Sequence, residues 1–108
     1  MTVRSAQLGI LHSSVLNTSQ TIYTAPAAGF RVIVKDVELA TTGAHRVEMR
    51  YFGATTFTEM IWHVWNSDTG TTSQRSEHWL VMELGALLIV RHDGGTIDAI
   101  VSGTVLAL

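Results

Sequence analysis

Thr21 to Leu39 reads as a short strand, a corner and a long strand: Thr-Ile-Tyr-Thr, Ala-Pro-Ala-Ala-Gly, then Phe-Arg-Val-Ile-Val-Lys-Asp-Val-Glu-Leu. Pro26 has no backbone donor and a fixed φ, and Gly29 tolerates positive φ, so pairing must stop and the chain must turn between them. On both sides of the corner the residues alternate or are β-branched. The stretch therefore commits its neighbourhood to β-structure.

The same period-two alternation recurs along the chain, bounded by clusters of Gly, Thr, Ser, Asn and Asp. It predicts strands over about Gln7 to Leu16, Gln20 to Thr24, Phe30 to Thr41, Arg46 to Phe52, Glu59 to Asn66, about Gln74 to Leu84, Leu87 to His92 and Thr96 to Leu106. Met82 to Val90 could be helical by composition, but Gly85 interrupts it and β-branched residues finish it. Strands with no helical crossover imply antiparallel pairing in a two-sheet β-sandwich of jelly-roll type. Asp93-Gly94-Gly95, between two apolar runs, reads as the tip of a hairpin joining the last two strands.

Two strands depart from simple alternation. In the third, Val32 and Val34 share one phase while Val37 and Leu39 share the other. Either a β-bulge near Lys35-Asp36 reconciles them, or Ile33, Val37 and Leu39 form the core face and Val32 and Val34 meet a neighbour. The fifth strand is apolar on both faces, with Met60, Trp62 and Val64 on one and Ile61, His63 and Trp65 on the other. One face enters the core, and the second needs another cover.

Length and composition agree with one small domain spanning residues 1–108, its first 16 residues forming either a first strand or an arm exchanged with a neighbour. The chain is 46% hydrophobic and only 15% charged, against about 25% charged in an ordinary globular domain. That deficit implies that another chain covers part of the surface. A formal charge of −2 with dispersed Arg and Lys excludes the clustered basic face of a nucleic-acid binder. With no cysteine there is no disulfide and no thiolate metal site. No apolar h-region opens the chain and no run approaches the roughly 18 apolar residues of a membrane span. The expectation is a soluble protein made in a cytoplasm, with no membrane partner.

Chemistry-bearing patterns are absent. His12, His45, His63, His78 and His92 are never spaced as His-x-His or His-x-x-x-His, so neither a metal site nor a cupin-like enzyme finds support. No Gly-x-Ser-x-Gly or phosphate-cradling loop occurs, and no carboxylates are paired by their spacing. No catalytic residue, cofactor or metal is expected. Trp62, Trp65 and Trp79 admit a stacking platform for a host surface glycan, as in a receptor-binding or lectin-like module. Core or subunit packing accounts for them better, and since indoles of that size suit an oligomer interface, Ile61, Trp62, His63, Trp65 and Trp79 are the candidate interface.

Thr21 to Gly29 followed by the strand Arg31 to Leu39 resembles the "T-x-Y-T-x-P-x-G, then apolar strand" opening of small β-sandwich virion proteins of tailed bacteriophages. The far end is similar too: Glu83-Leu84-Gly85 leads into Leu87 to Val90, then come a Gly-rich turn and Ile100-Val101-Ser102-Gly103. The chain departs from that pattern at Ala40-Thr41-Thr42, where family members often have Asn, and in a longer segment before the Pro corner. The resemblance implies a non-enzymatic structural protein located in the virion, a head decoration or minor tail component. By analogy with phage fibres and decorations it implies a homo-oligomer, a trimer first, in contact with other virion proteins.

Overall fold

The computed structural model describes residues 3–55, 59–68 and 71–108, and the side chains of Val3 and Thr72 are set aside. Residues 1–2, 56–58 and 69–70 lie outside the described residues. Eight strands follow one another: β1 (Val3–Ser13), β2 (Gln20–Thr24), β3 (Phe30–Thr42), β4 (Arg46–Phe52), β5 (Glu59–Asn66), β6 (Thr71–Met82), β7 (Leu87–His92) and β8 (Thr96–Ala107). They form two four-stranded antiparallel sheets, β1-β8-β3-β6 and β2-β7-β4-β5. Only the β4–β5 link stays within a sheet, and every other connection crosses the sandwich. That winding is the jelly roll, as alternation without helices requires.

The core lies between the sheets. Val32, Val34, Val37 and Leu39 from β3 meet Val47 and Met49 from β4, Leu88 and Val90 from β7, and Ile97, Ala99 and Val101 from β8. That β3 contributes both phases is explained by its register: against β6 and against β8 it shifts between Val34 and Asp36. The bulge reading is therefore the correct one, and Ile33 lies on the outer face. Gly103 pairs with Val34 at this level. A Cβ on Gly103 would stand 2.0 Å from the Ile33 carbonyl oxygen, so only glycine admits the approach of the two backbones.

The Pro26 corner is tied to the turn before β7. The Ala25 N–H donates to the Ala86 carbonyl at 2.8 Å, the Gly85 N–H donates to the Pro26 carbonyl at 3.0 Å, and Gly29 takes a φ of 84°. The two motifs that carry the family resemblance are thus one structural unit.

Three sequence expectations are corrected. β1 spans Val3–Ser13 rather than Gln7 to Leu16, and a register shift between Gln7 and Gly9 turns Leu8 toward the core and Ile10 to solvent, where uninterrupted alternation would keep them in one phase. β1 pairs with β8 of its own chain. β6 begins and ends earlier than its apolar pattern indicates, at Thr71 and Met82, because its polar first half pairs with the end of β3. The Asp93-Gly94-Gly95 turn is not a hairpin: β7 and β8 belong to different sheets. A two-residue type I′ hairpin needs two consecutive positive φ values, and here only Gly95 has one, 55°. The glycines instead let this turn nest against the β3–β4 turn, where a Cβ on Gly95 would fall 1.8 Å from the Thr42 carbonyl oxygen. Asp93 completes the contact by accepting the N–H groups of His45 at 2.9 Å and Arg46 at 3.0 Å. The Arg46 N–H above all, with that of His45 assisting and partial burial opposing, holds the Asp93 carboxyl below the usual range.

Replacing Gly103 by alanine is expected to destabilise the fold by about 1–3 kcal/mol through overpacking against β3. Urea denaturation followed by circular dichroism measures it.

Candidate functional site

The residues proposed from sequence as an interface converge on one side of the sandwich, where β5 ends one sheet and β6 ends the other. β5 is not a regular alternating strand. Met49 pairs with His63 and Arg50 with Ile61, so Trp62 is an extra residue bulged out of the β4–β5 ladder. The bulge overturns the expectation that Trp62 and Trp65 occupy opposite faces. Both indoles turn toward β6: the Trp62 ring lies 4.5 Å and the Trp65 ring 6.5 Å from the His78 ring, centroid to centroid.

His63 completes the group, 4.5 Å from Trp65 and 4.7 Å from His78 in edge-to-face arrangements. Trp65 is 4% exposed, and its indole N–H donates to the Ser76 hydroxyl of β6 at 2.8 Å. Trp62 packs half-buried against the core. His78 Nε2 is buried without a hydrogen-bond partner. Desolvation first, and the neighbouring His63 second, push the His78 pKa down from 6.5, with Asp36 pulling the other way.

Trp65 meets Ser76 while His63 and Trp62 meet His78, so the two strands pass each other in opposite directions. Both edge strands carry exposed apolar side chains: Met60 (58% exposed) and Ile61 (51%) on β5, with Ile61 opposite Arg50 on the outer face of its sheet, and Trp79 (69%) and Val81 (47%) on the outer face of β6. Trp79 is the exposed indole of the three, and the Lys35 ammonium sits 4.8 Å from its centroid, occupying one ring face. A sugar would find one free indole face there. Sequence reasoning missed Met60, Val81 and His78 as members of this surface, although the unbroken apolar alternation of β6 could have indicated Val81.

Elsewhere the chemistry is sparse. On the outer face of β4 and β5, Glu48 accepts from Arg50 at 3.0 Å and pairs with Arg46 at 3.7 Å, and Arg50 reaches Glu59 at 3.7 Å. On the other outer face His12 contacts Asp98 at 2.6 Å, and Arg75 donates to Asp36 at 3.1 Å. A shallow groove there is lined by Glu38, Ala40, Ser73, Arg75, Asp98 and Ile100, a set with no nucleophile beside a base. The buried His92 donates from Nδ1 to the Gly94 carbonyl at 2.9 Å and faces the Ser13 hydroxyl with Nε2, which makes it part of the core's polar lashing. Among the described residues no three His, Asp or Glu converge as a metal site, and no helix is long and apolar enough to cross a membrane.

No family model and no curated protein sequence matches the chain. Among solved structures, a chain of the acidic stable capsid structure of Helicobacter pylori bacteriophage KHP30 is similar over 97% of this chain and 94% of its own, with a TM-score of 0.62 at 10% identity. A chain from the disulfide-linked pili that are Bacillus endospore appendages is similar over 99% and 89%, with a TM-score of 0.53 at 11% identity. At such identities the likeness is one of fold, the two-sheet jelly-roll sandwich.

Trp65→Ala is expected to cost about 3–5 kcal/mol of stability, because it empties a packed site. Trp79→Ala is expected to stay within about 0.5 kcal/mol in the isolated subunit, since its indole is exposed. Chemical denaturation of the two variants distinguishes the buried from the exposed indole.

Proposed function

We propose that the chain is a non-enzymatic structural subunit of a bacteriophage particle, a head decoration or minor tail component that assembles with copies of itself. The observation that carries the reading is the exposed apolar set Met60, Ile61, Trp79 and Val81 around the β5–β6 edge of a weakly charged sandwich. Exposed large apolar side chains favour burial against another chain, and a closed ring of identical subunits covers them with one repeated contact. Full-length likeness of fold to a phage capsid chain and to a pilus chain supports a role in assembly.

Two further features fit. Ile61 lies two residues from Glu59 on β5 and Trp79 beside the Lys35 ammonium, which puts a charged group near each. His63, Trp62 and Trp65 stand behind them as the rigid support that an interface anchor requires. A trimer is the favoured number, by analogy with phage decorations and fibres, and the virion is the corresponding location, with other virion proteins as partners.

Light scattering coupled to gel filtration tests the reading: the wild type is expected to run as a closed oligomer at micromolar concentration. Ile61→Asp combined with Trp79→Asp is expected to weaken association by about 2 kcal/mol or more, on the order of 30-fold in Kd, while the fold persists by circular dichroism. A wild-type monomer at that concentration overturns the self-assembly reading.

A further inference from the structure

We propose that His63 and His78 form an acid-released latch that holds the β5–β6 edge of the sandwich shut. The two edges of the sandwich are closed by different chemistry. Near β1, β2 and β7 the Ser13 hydroxyl bonds the Gln20 side chain and faces His92, whose ring is fixed by the Gly94 carbonyl. At the opposite edge the sheets meet through tilted and edge-to-face rings, Trp62 on His78, His78 on His63 and His63 on Trp65, with the Trp65–Ser76 hydrogen bond as a direct polar link between the two strands.

Such a stack is stable while both imidazoles are neutral. The ring centroids of His63 and His78 lie 4.7 Å apart, and His78 Nε2 has neither solvent nor an acceptor to receive a proton's charge. A first proton can be shared with an indole face as a cation–π contact, but a second must sit beside it as a like charge. The charged groups nearby do not neutralise the pair. From β3, Asp36 faces His78 but is already bonded to Arg75 of β6 at 3.1 Å, and Lys35 lies over Trp79. Glu77 of β6 points to the outer face, opposite His78. From β4, Met49 pairs with His63, and Tyr51 uses its hydroxyl to accept the Glu83 N–H at 2.8 Å, while Glu48 and Arg50 pair with each other on the outer face.

The direction follows from linkage. His78 has a lower pKa in the folded chain than the 6.5 of an unfolded one, so the unfolded or opened state binds more protons. Its contribution to stability is full above about pH 6.5 and is lost as pH falls through the lowered folded value. The loss acts first on β5, which has β4 alone as a ladder partner and the ring stack as its tie to the other sheet.

Amide hydrogen exchange and imidazole NMR titration on the full chain test the latch. Between about pH 7.5 and about pH 5, β5 protection factors are expected to fall several-fold more than those of β3 and β8. His78→Phe, which keeps a ring and removes the charge, is expected to abolish the difference, and His12→Gln to preserve it. The latch is overturned if wild-type β5 tracks β3 and β8 across the range, or if His78→Phe keeps the wild-type response. Should His78→Phe not fold, the wild-type titration decides: a His78 ring that titrates at or above 6.5 with β5 still protected overturns the latch, and a lowered midpoint coincident with β5 opening upholds it.

Discussion

The register slip between Val34 and Asp36 is the constraint on which the rest of this structure depends. β3 is the hub of its sheet, paired to β8 on one side and β6 on the other, and both ladders slip at the same place. Without the slip, a 13-residue strand with a side-chain period of two could bury Val32 and Val34 or Val37 and Leu39, but not all four. Gly103 permits it by letting the β3 backbone come within a distance that no Cβ allows. The extra residue at Lys35 also sets that side chain over Trp79, so one backbone irregularity supplies both the continuous core and a feature of the outer surface.

Irregularities also govern the edges. Register shifts interrupt β1 after Gln7, β2 after Thr21, β5 at Trp62 and β6 opposite Lys35. A flat, unbroken edge strand invites a further strand from another chain, and a bulge twists that template away. Edges so interrupted present side chains to a neighbour rather than an open ladder. The bulge at Trp62 serves both ends: it blunts the edge of β5 and turns the indole inward, leaving Met60 and Ile61 outside.

Much of the fold was legible in the sequence because period-two alternation and turn residues are local signals. β2, β4, β5 and β7 have the expected bounds, and the apolar phases of β3 announced its bulge. The winding was less legible. Asp93-Gly94-Gly95 has the composition of a hairpin tip, yet its glycines answer to the carbonyl of Thr42, more than 50 residues earlier in the chain. The candidate site was half legible: alternation marks Ile61 and Trp79 as apolar residues and the structure leaves both exposed, whereas the grouping of Trp62, His63 and Trp65 with His78 depends on a single extra residue in β5, which alternation cannot register.

By itself the sequence determined an all-β sandwich, the Pro26 corner and a surface too apolar for its size, because strand propensity, proline geometry and composition act within a few residues or on the chain as a whole. Tertiary structure alone decided which turns join sheets rather than neighbouring strands, which indoles are buried, and that two histidines 15 residues apart share one pocket. Those outcomes follow from backbone approach and ladder register between distant segments. A shift of one residue there redirects a side chain from solvent to core, and no local pattern records it.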